Sequence, residues 1–523
     1  MDHTRTPTVR PGPGRVAGRA RRAALTGLLG AAAAATVLAL PGVAEAAPAA
    51  AQEDGPTIYI ASDSTAQTYD ASYAPQAGWG QTLGQFFSDE VTVDNRAIGG
   101  RSSRSFVEEG RLDDILDEIQ PGDYLFVQFG HNDATISRPE RYTTPEQYQQ
   151  LLREEYIAGA RARGATPVIL TPVSRRDFDP TTGRFNVSFP EYVDKAIEVA
   201  QQEHVPLIDL GASSRAFLDA MGPLEAQSVF LHVPVGVYEN RPDGTIDETH
   251  FQEYGATEMA RLIAQDVARL DIPLADEVVN TAPPRHRPGR AGGLAASYVS
   301  HDGARLTWTA VPGADHYRVQ VRPRGKRHAR WTLAAASAIP LADVAGLDEH
   351  TTYDVRVLAV NGRGAGAPSQ AIRLTTRTAD ARFDFGPAGS PVAAGYTGVS
   401  PETVYTPEIG HGFADPAGLS AVDRGPGADD LSRDFVACAD CRYEFRADVP
   451  DGIYAVTAYL GDTQGYSRSG FVLEESDRGQ VIGHTGVITQ QTFPLVQVSD
   501  GQLNVTVYAE TGHLNGLELS RVG

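Results

Sequence analysis

With 523 residues and 66 acidic against 45 basic side chains, a formal net charge of −21, the chain is too long for one hydrophobic core. It is also too acidic to seek a phosphate backbone, which sets nucleic acid aside as a partner. Its two cysteines, Cys438 and Cys441, are fewer than a structural zinc site takes, and in an exported chain their C-A-D-C spacing predicts a short-loop disulfide.

In chain order, Arg5, Arg10, Arg15, Arg19, Arg21 and Arg22 precede the apolar run AALTGLLGAAAAATVLAL, and Ala44-Glu45-Ala46 offers small residues at a signal-peptidase position. Residues 1 to 46 are therefore expected to be an export signal that is removed, leaving a secreted, extracellular protein without a membrane anchor. The Arg21-Arg22 pair keeps both general and twin-arginine export open. Without that segment the chain carries 39 basic and 64 acidic residues, so a polyanionic substrate would need a locally basic site.

From 55 to 280, short apolar runs alternate with amphipathic stretches. TIYIAS, VTVDNRA, YLFVQF, TPVILTPV and VPLIDL read as strands, and PEQYQQLLREEYIAGARARG and EYVDKAIEVAQQEH as helices. The alternation predicts an α/β fold, a three-layer sandwich around a mostly parallel sheet. Ligands of such sheets lie beyond the carboxyl ends of the strands, so chemistry is sought directly after each run.

TAPPRHRPGR, 281 to 290, is a Pro- and Arg-rich linker. Residues 291 to 376 switch to period-two runs between turns, and Trp308, Tyr317 and Tyr353 resemble the pattern of a fibronectin type III module, expected to be a stiff spacer. Residues 381 to 523 predict a second all-β sandwich, jelly-roll-like. Its Tyr396, Tyr405, Phe413, Tyr459 and Tyr466 suit sugar stacking, although such aromatics more often build a core.

Returning to the ends of the first strands, Asp63-Ser64 follows IYIAS, Gly99-Gly100-Arg101-Ser102 follows VTVDNRA, and Gly130-His131-Asn132-Asp133 follows YLFVQF. Asp247-Glu248-Thr249-His250 comes late in the unit. Together they hold what acyl transfer requires. Ser64 is the candidate nucleophile, His250 its base, and Asp247 the group that orients the base, on the expectation that 247 to 250 form a helical turn. The backbone N–H groups of Ser64 and Gly100 and the side-chain amide of Asn132 are the candidate oxyanion donors. No phosphate loop, dinucleotide fingerprint or metal-ligand spacing competes, and neither metal nor cofactor is expected.

These four blocks, in this order, resemble those of the SGNH (GDSL-type) hydrolases, which have a flavodoxin-like three-layer fold. IYIASDST, AIGGRSSRSF, FVQFGHND, TPVSRR and DETHFQEYGA resemble more narrowly the rhamnogalacturonan acetylesterase branch. Ser62 departs from that pattern by standing where the superfamily spells glycine. FDFGPAGSPVAAGYT, opening the last unit, resembles a galactose-binding-like domain. The resemblance implies a serine esterase releasing acetate from acetylated pectin, an acidic polysaccharide. Arg101, Arg104, Arg175 and Arg176, all placed after predicted strands, are expected to supply substrate contacts, with at least two at the cleft. The same machinery acting on acetyl xylan, a lipid or a thioester is the alternative within enzymes. A carbohydrate-binding surface protein carrying a spent hydrolase is the alternative outside them.

Overall fold

The computed structural model describes residues 55 to 523 apart from 427 and 440, and the expected export segment lies outside the described residues. Five strands of the first unit form one sheet: β1 (Thr57–Ser62), β2 (Thr92–Asn95), β3 (Tyr124–Gln128), β4 (Thr166–Leu170) and β5 (Leu207–Ile208). They pair in parallel in the order β2-β1-β3-β4-β5. The direction of strand succession reverses between β1 and β3, the place where sheets of this kind bind their ligands. Ser62 lies opposite Gln128, so both strands end level there.

Successive side chains of a strand point to opposite faces. Ile58, Ile60, Phe126 and Val168 join one core with Trp79, Leu218, Met259 and Ile263. Tyr59, Leu125, Val127 and Ile169 join the other with Phe106, Ile115, Tyr156 and Val199. Because both faces are covered, these strands read as unbroken apolar runs and not as alternation. Helix α1 (Ser103–Glu108) begins at a reciprocal serine cap, in which Ser102 Oγ accepts the Ser105 N–H at 3.2 Å and Ser105 Oγ accepts the Ser102 N–H at 2.9 Å.

Outside this sheet, β6 (Phe230–Val233) and β7 (Thr245–Gln252) pair antiparallel. Here the structure corrects the expected helical turn at 247 to 250. Asp247 stands opposite Leu231 and Phe251 opposite Phe230, so the intervening residues of β7 have no place in the ladder and bulge out of it.

Residues 295 to 375 form two antiparallel sheets. Trp308 and Tyr317 meet edge to face at 5.3 Å, and Tyr353 Oη accepts the Asp348 N–H at 2.9 Å, a tyrosine corner. In the last unit two five-stranded sheets enclose one core. Phe385, Leu460, Val496 and Leu517 come from one sheet, and Phe445, Phe471, Val505 and Val507 from the other. Phe413 belongs to this core as well. Tyr396 and Tyr459 both donate to Glu518, while Tyr466 stays 43% exposed. Cys438 and Cys441 are disulfide-bonded.

The middle module is bonded to both neighbours. Buried Glu225 of the first unit lies 2.6 Å from His316 Nε2 and accepts from Arg318 Nε at 2.7 Å, and the Tyr254 ring stacks on His316 at 5.0 Å. On the other side Asp302 accepts from Thr492 Oγ1 at 2.6 Å and Gln490 Nε2 at 3.2 Å. Burial alone would raise the Glu225 carboxyl, but His316 and Arg318 outweigh it and hold the group below the usual carboxylate range. Removing one partner of a buried ion pair strands the other. Glu225→Ala is expected to weaken this seam by about 3 kcal/mol, the low end for a buried pair because Arg318 is partly exposed. Calorimetry should show a lowered or split unfolding transition, and an unchanged scan would mean that other contacts hold the seam.

Candidate active site

After Ser62 the chain turns through Asp63-Ser64-Thr65. Asp63 is fully buried, and its Oδ1 accepts the Thr65 N–H at 2.9 Å and the Thr65 hydroxyl at 2.8 Å. Its Oδ2 lies 3.4 Å from His131 Nδ1. Burial pushes this carboxyl up, but the nearby His131 ring and the Thr65 hydrogen bonds more than offset that, leaving it below its ordinary range. The turn is thus fixed by Asp63 and Thr65, and the Ser64 hydroxyl is left for another partner. Ser62 has its own: its buried Oγ donates to the Gln128 carbonyl at 2.7 Å. A serine is accommodated there because its hydroxyl finds an acceptor inside the sheet.

The partner of Ser64 is His250, whose Nε2 stands 2.9 Å from Ser64 Oγ. On the ring's other side, Nδ1 is 2.7 Å from Asp247 Oδ2. With the Nδ1 proton directed to Asp247, Nε2 is left to accept from the serine. The bulge makes this possible, since residues three apart on a regular strand face opposite ways. Asp247 also builds the bulge: its Oδ1 accepts the Thr249 N–H at 2.8 Å and the His250 N–H at 3.0 Å. These bonds to His250 and Thr249 outweigh the cost of burial and hold Asp247 well below the usual carboxylate range.

Two more loops close around Ser64. Gly99 runs close beside the nucleophile's turn: a Cβ built there would touch Ser64 Cβ at 3.5 Å and would only have to displace the end of the flexible Gln67 side chain. Gly100 takes φ +80°, a left-handed conformation that glycine adopts without strain. Asn132 is buried and donates one amide proton to the Arg101 carbonyl at 2.8 Å, which leaves its second proton available. Among the described residues neither the Ser64 nor the Gly100 backbone N–H has an intramolecular acceptor.

One positioning residue escaped the sequence reading. Asp133 is fully buried and accepts from Ser103 N at 3.0 Å, Ser103 Oγ at 2.5 Å and Gly130 N at 3.1 Å, which ties the loop after β2 to the loop after β3. Burial pushes it up to about 6 despite those donors. The available signal was an acidic residue directly after Asn132, five residues beyond the end of the apolar run of β3.

The four arginines differ. Arg101 is engaged with Glu109 at 3.1 Å and the Gly99 carbonyl at 2.9 Å, and Arg104 with Glu108, Pro139 O and Tyr142 O. Arg176 bonds Glu248 at 2.7 Å, and Glu248 also lies 3.2 Å from His232 Nε2. Burial alone would raise Glu248, but Arg176 and His232 bring it down to about 2. Arg175 lies over the Phe189 ring at 4.7 Å, with no carboxylate within ion-pair distance among the described residues. Beside this region a cavity of about 560 Å³ is lined by residues of all three units, including Glu248, His232, Arg305 and Arg478, but not by Ser64 or His250.

Sequence comparison places three known families on this chain. The GDSL-like lipase/acylhydrolase family matches residues 63–235, the fibronectin type III domain 287–375, and the β-agarase/YXIM esterase-like, galactose-binding domain-like family 381–518. The probable rhamnogalacturonan acetylesterase YesY of Bacillus subtilis (strain 168) is 46% identical over 223 residues, 42% of this chain and 97% of the relative. Rhamnogalacturonan acetylesterase RhgT of the same organism is 42% identical over 229 residues, 44% of this chain and 97% of the relative. A rhamnogalacturonan acetylesterase of Emericella nidulans is 30% identical over 244 residues, 43% of this chain and 90% of the relative.

Proposed function

We propose a substrate and a mechanism on the premise that the chain belongs to the GDSL-like lipase/acylhydrolase family and is a carboxylic ester hydrolase. The substrate is an O-acetyl ester of rhamnogalacturonan, the acidic backbone of pectin, and the products are acetate and the free sugar hydroxyl. The observation that carries the chemistry is His250 bridging Ser64 and Asp247 at 2.9 and 2.7 Å. Relatives of 42 and 46% identity named as rhamnogalacturonan acetylesterases support the substrate.

Ser64 Oγ attacks the acetyl carbonyl while His250 Nε2 takes its proton, and the imidazolium so formed is stabilised by ionised Asp247. The carbonyl electron pair moves onto oxygen, where the Ser64 and Gly100 N–H groups and the Asn132 amide receive it. Collapse breaks the bond to the sugar oxygen, which takes the proton from His250 and leaves an acetyl group on Ser64. Water then attacks this ester with His250 again as base, and acetate departs as Ser64 is reprotonated. Secretion is part of the proposal, since the Arg-rich and apolar stretch within residues 1 to 46 suits export.

Acetate release from acetylated rhamnogalacturonan is expected to exceed that from acetyl xylan by at least about ten-fold in kcat/KM, as specificity built on charged contacts allows. Equal rates on the two polymers would remove the pectic assignment while leaving the esterase chemistry intact.

A further inference from the structure

Two arginines of different units lie near enough to the triad and to each other for their charges to interact, and among the described residues neither has a carboxylate within ion-pair distance. Arg175 is held there by the backbone, since the next residue's N–H donates to the Glu248 carbonyl at 2.9 Å, placing residues 175 and 176 alongside Asp247 and Glu248. Its guanidinium lies over Phe189 at 4.7 Å, and Phe189 packs edge-on against His131 at 5.0 Å, so the cation borders the loop that carries Asn132. Its Nε is buried with no hydrogen-bond partner.

The second arginine belongs to the C-terminal sandwich. Strands β8 (Ser467–Leu473) and β9 (Ser476–Gly483) pair so that Arg468 stands opposite Ile482. His484, just beyond β9, reaches Asp177 at 4.0 Å, and Arg478 on β9 donates to the Asp243 carbonyl at 2.9 Å. This edge of the sandwich therefore lies against the segment that follows Arg175. The Arg468 backbone is pinned by Thr511, whose Oγ1 accepts its N–H at 2.8 Å. Its Nε too is buried without a partner, and among the described residues no carboxylate lies within ion-pair distance of it.

The two charges interact. Burial first, and then the positive charge of Arg468, hold the Arg175 guanidinium below its ordinary range, while Asp247, Asp63 and Asp177 act in the other direction. Two half-buried guanidinium groups repel one another unless an anion lies between them. In a chain of net charge −21, such a pair is also the local positive field that an anionic polymer needs in order to approach.

We propose that Arg175 and Arg468 form a carboxylate-binding subsite at the seam between the catalytic unit and the C-terminal sandwich, which seats a uronate residue of the substrate next to the acetyl group presented to Ser64. Planar guanidinium groups match a carboxylate in paired hydrogen bonds, so two of them fix the sugar's orientation as well as its charge. The C-terminal unit thereby contributes to selection at the catalytic cleft instead of acting as a separate sugar-binding module. The subsite rests on the pectic substrate reading, and the following measurement separates the two.

Hydrolysis of p-nitrophenyl acetate is inhibited with a de-acetylated rhamnogalacturonan oligosaccharide and, in parallel, with the same oligosaccharide after reduction of its carboxyl groups to alcohols. The ratio of the two inhibition constants reports the carboxylate alone, and any inactive fraction of a variant cancels from it. Arg175→Gln and Arg468→Gln are each expected to lower the wild-type preference for the anionic form by about ten-fold, the effect of losing one charged hydrogen-bonding partner. Arg468→Lys, which keeps charge but not the planar fork, is expected to fall between. A wild-type ratio near unity, or a ratio that stays within about two-fold in the Gln variants, overturns the subsite. If wild type prefers the anionic oligosaccharide through both arginines yet releases no acetate from its acetylated form, the subsite stands and the substrate reading fails.

Discussion

Ser64→Ala is expected to lower kcat for acetyl ester hydrolysis by roughly 10⁴ to 10⁶-fold, as loss of the nucleophile does in serine hydrolases. The substitution removes one oxygen whose hydrogen bond is to His250, whereas the turn around it is held by Asp63, Thr65 and the Ser64 carbonyl, which accepts from Tyr69 Oη at 2.8 Å. Fold and substrate binding should therefore survive, with an unchanged thermal transition and near-ultraviolet spectrum. The burst of p-nitrophenol from p-nitrophenyl acetate should vanish in the variant and, in wild type, match the concentration of active sites. Residual activity above about one hundredth of wild type would exclude Ser64 as the nucleophile, since triad members removed singly leave far less.

The second large effect is expected at Asp247. Its two oxygens have different tasks: Oδ1 holds the bulge through Thr249 and His250 N–H groups, and Oδ2 receives the ring proton of His250. Asp247→Asn keeps an oxygen for the first task but abolishes the negative charge on the second, which both fixes the tautomer and stabilises the imidazolium. A fall in kcat of about 10⁴-fold follows if the charge is catalytic. Asp247→Ala loses the bulge bonds too and should be destabilised as well as inactive. If the Asp247→Asn variant retained more than about a tenth of the activity, far above what a triad carboxylate allows, Asp247 would be an anchor for the strand and not part of the proton path.

Much of this site was readable because parallel strands covered on both faces are continuous apolar runs, and the residues after them stand at one edge of the sheet. Ser64, Gly100 and Asn132 are found by counting to the end of a run. Asp247 and His250 were readable as a pair, but their geometry was not. The bulge depends on how β7 registers against β6, a long-range pairing with no local spelling, so three-residue spacing suggested a helical turn instead. Asp133 was passed over for a similar reason: its donors, Ser103 and Gly130, are brought to it by the sheet. The arginines were visible as cations near strand ends, but their partners were not. Only the fold shows that Arg101, Arg104 and Arg176 are engaged with carboxylates or carbonyls of their own chain while the Arg175 guanidinium lies over Phe189 with no carboxylate within ion-pair distance among the described residues. Likewise Glu225, His316 and Arg318 read as ordinary surface residues in sequence, and only the fold brings buried Glu225 against His316 and the partly exposed Arg318.

The C-terminal sandwich takes Ile246 into contact with its own core, and Ile246 is the residue directly before Asp247. Heat that loosens that sandwich would therefore remove a packing contact from the residue next to the acid. Although it lies farthest from Ser64 in sequence, that domain thus shares a contact with the strand that carries the acid, and mutations that stabilise it are expected to prolong activity at elevated temperature.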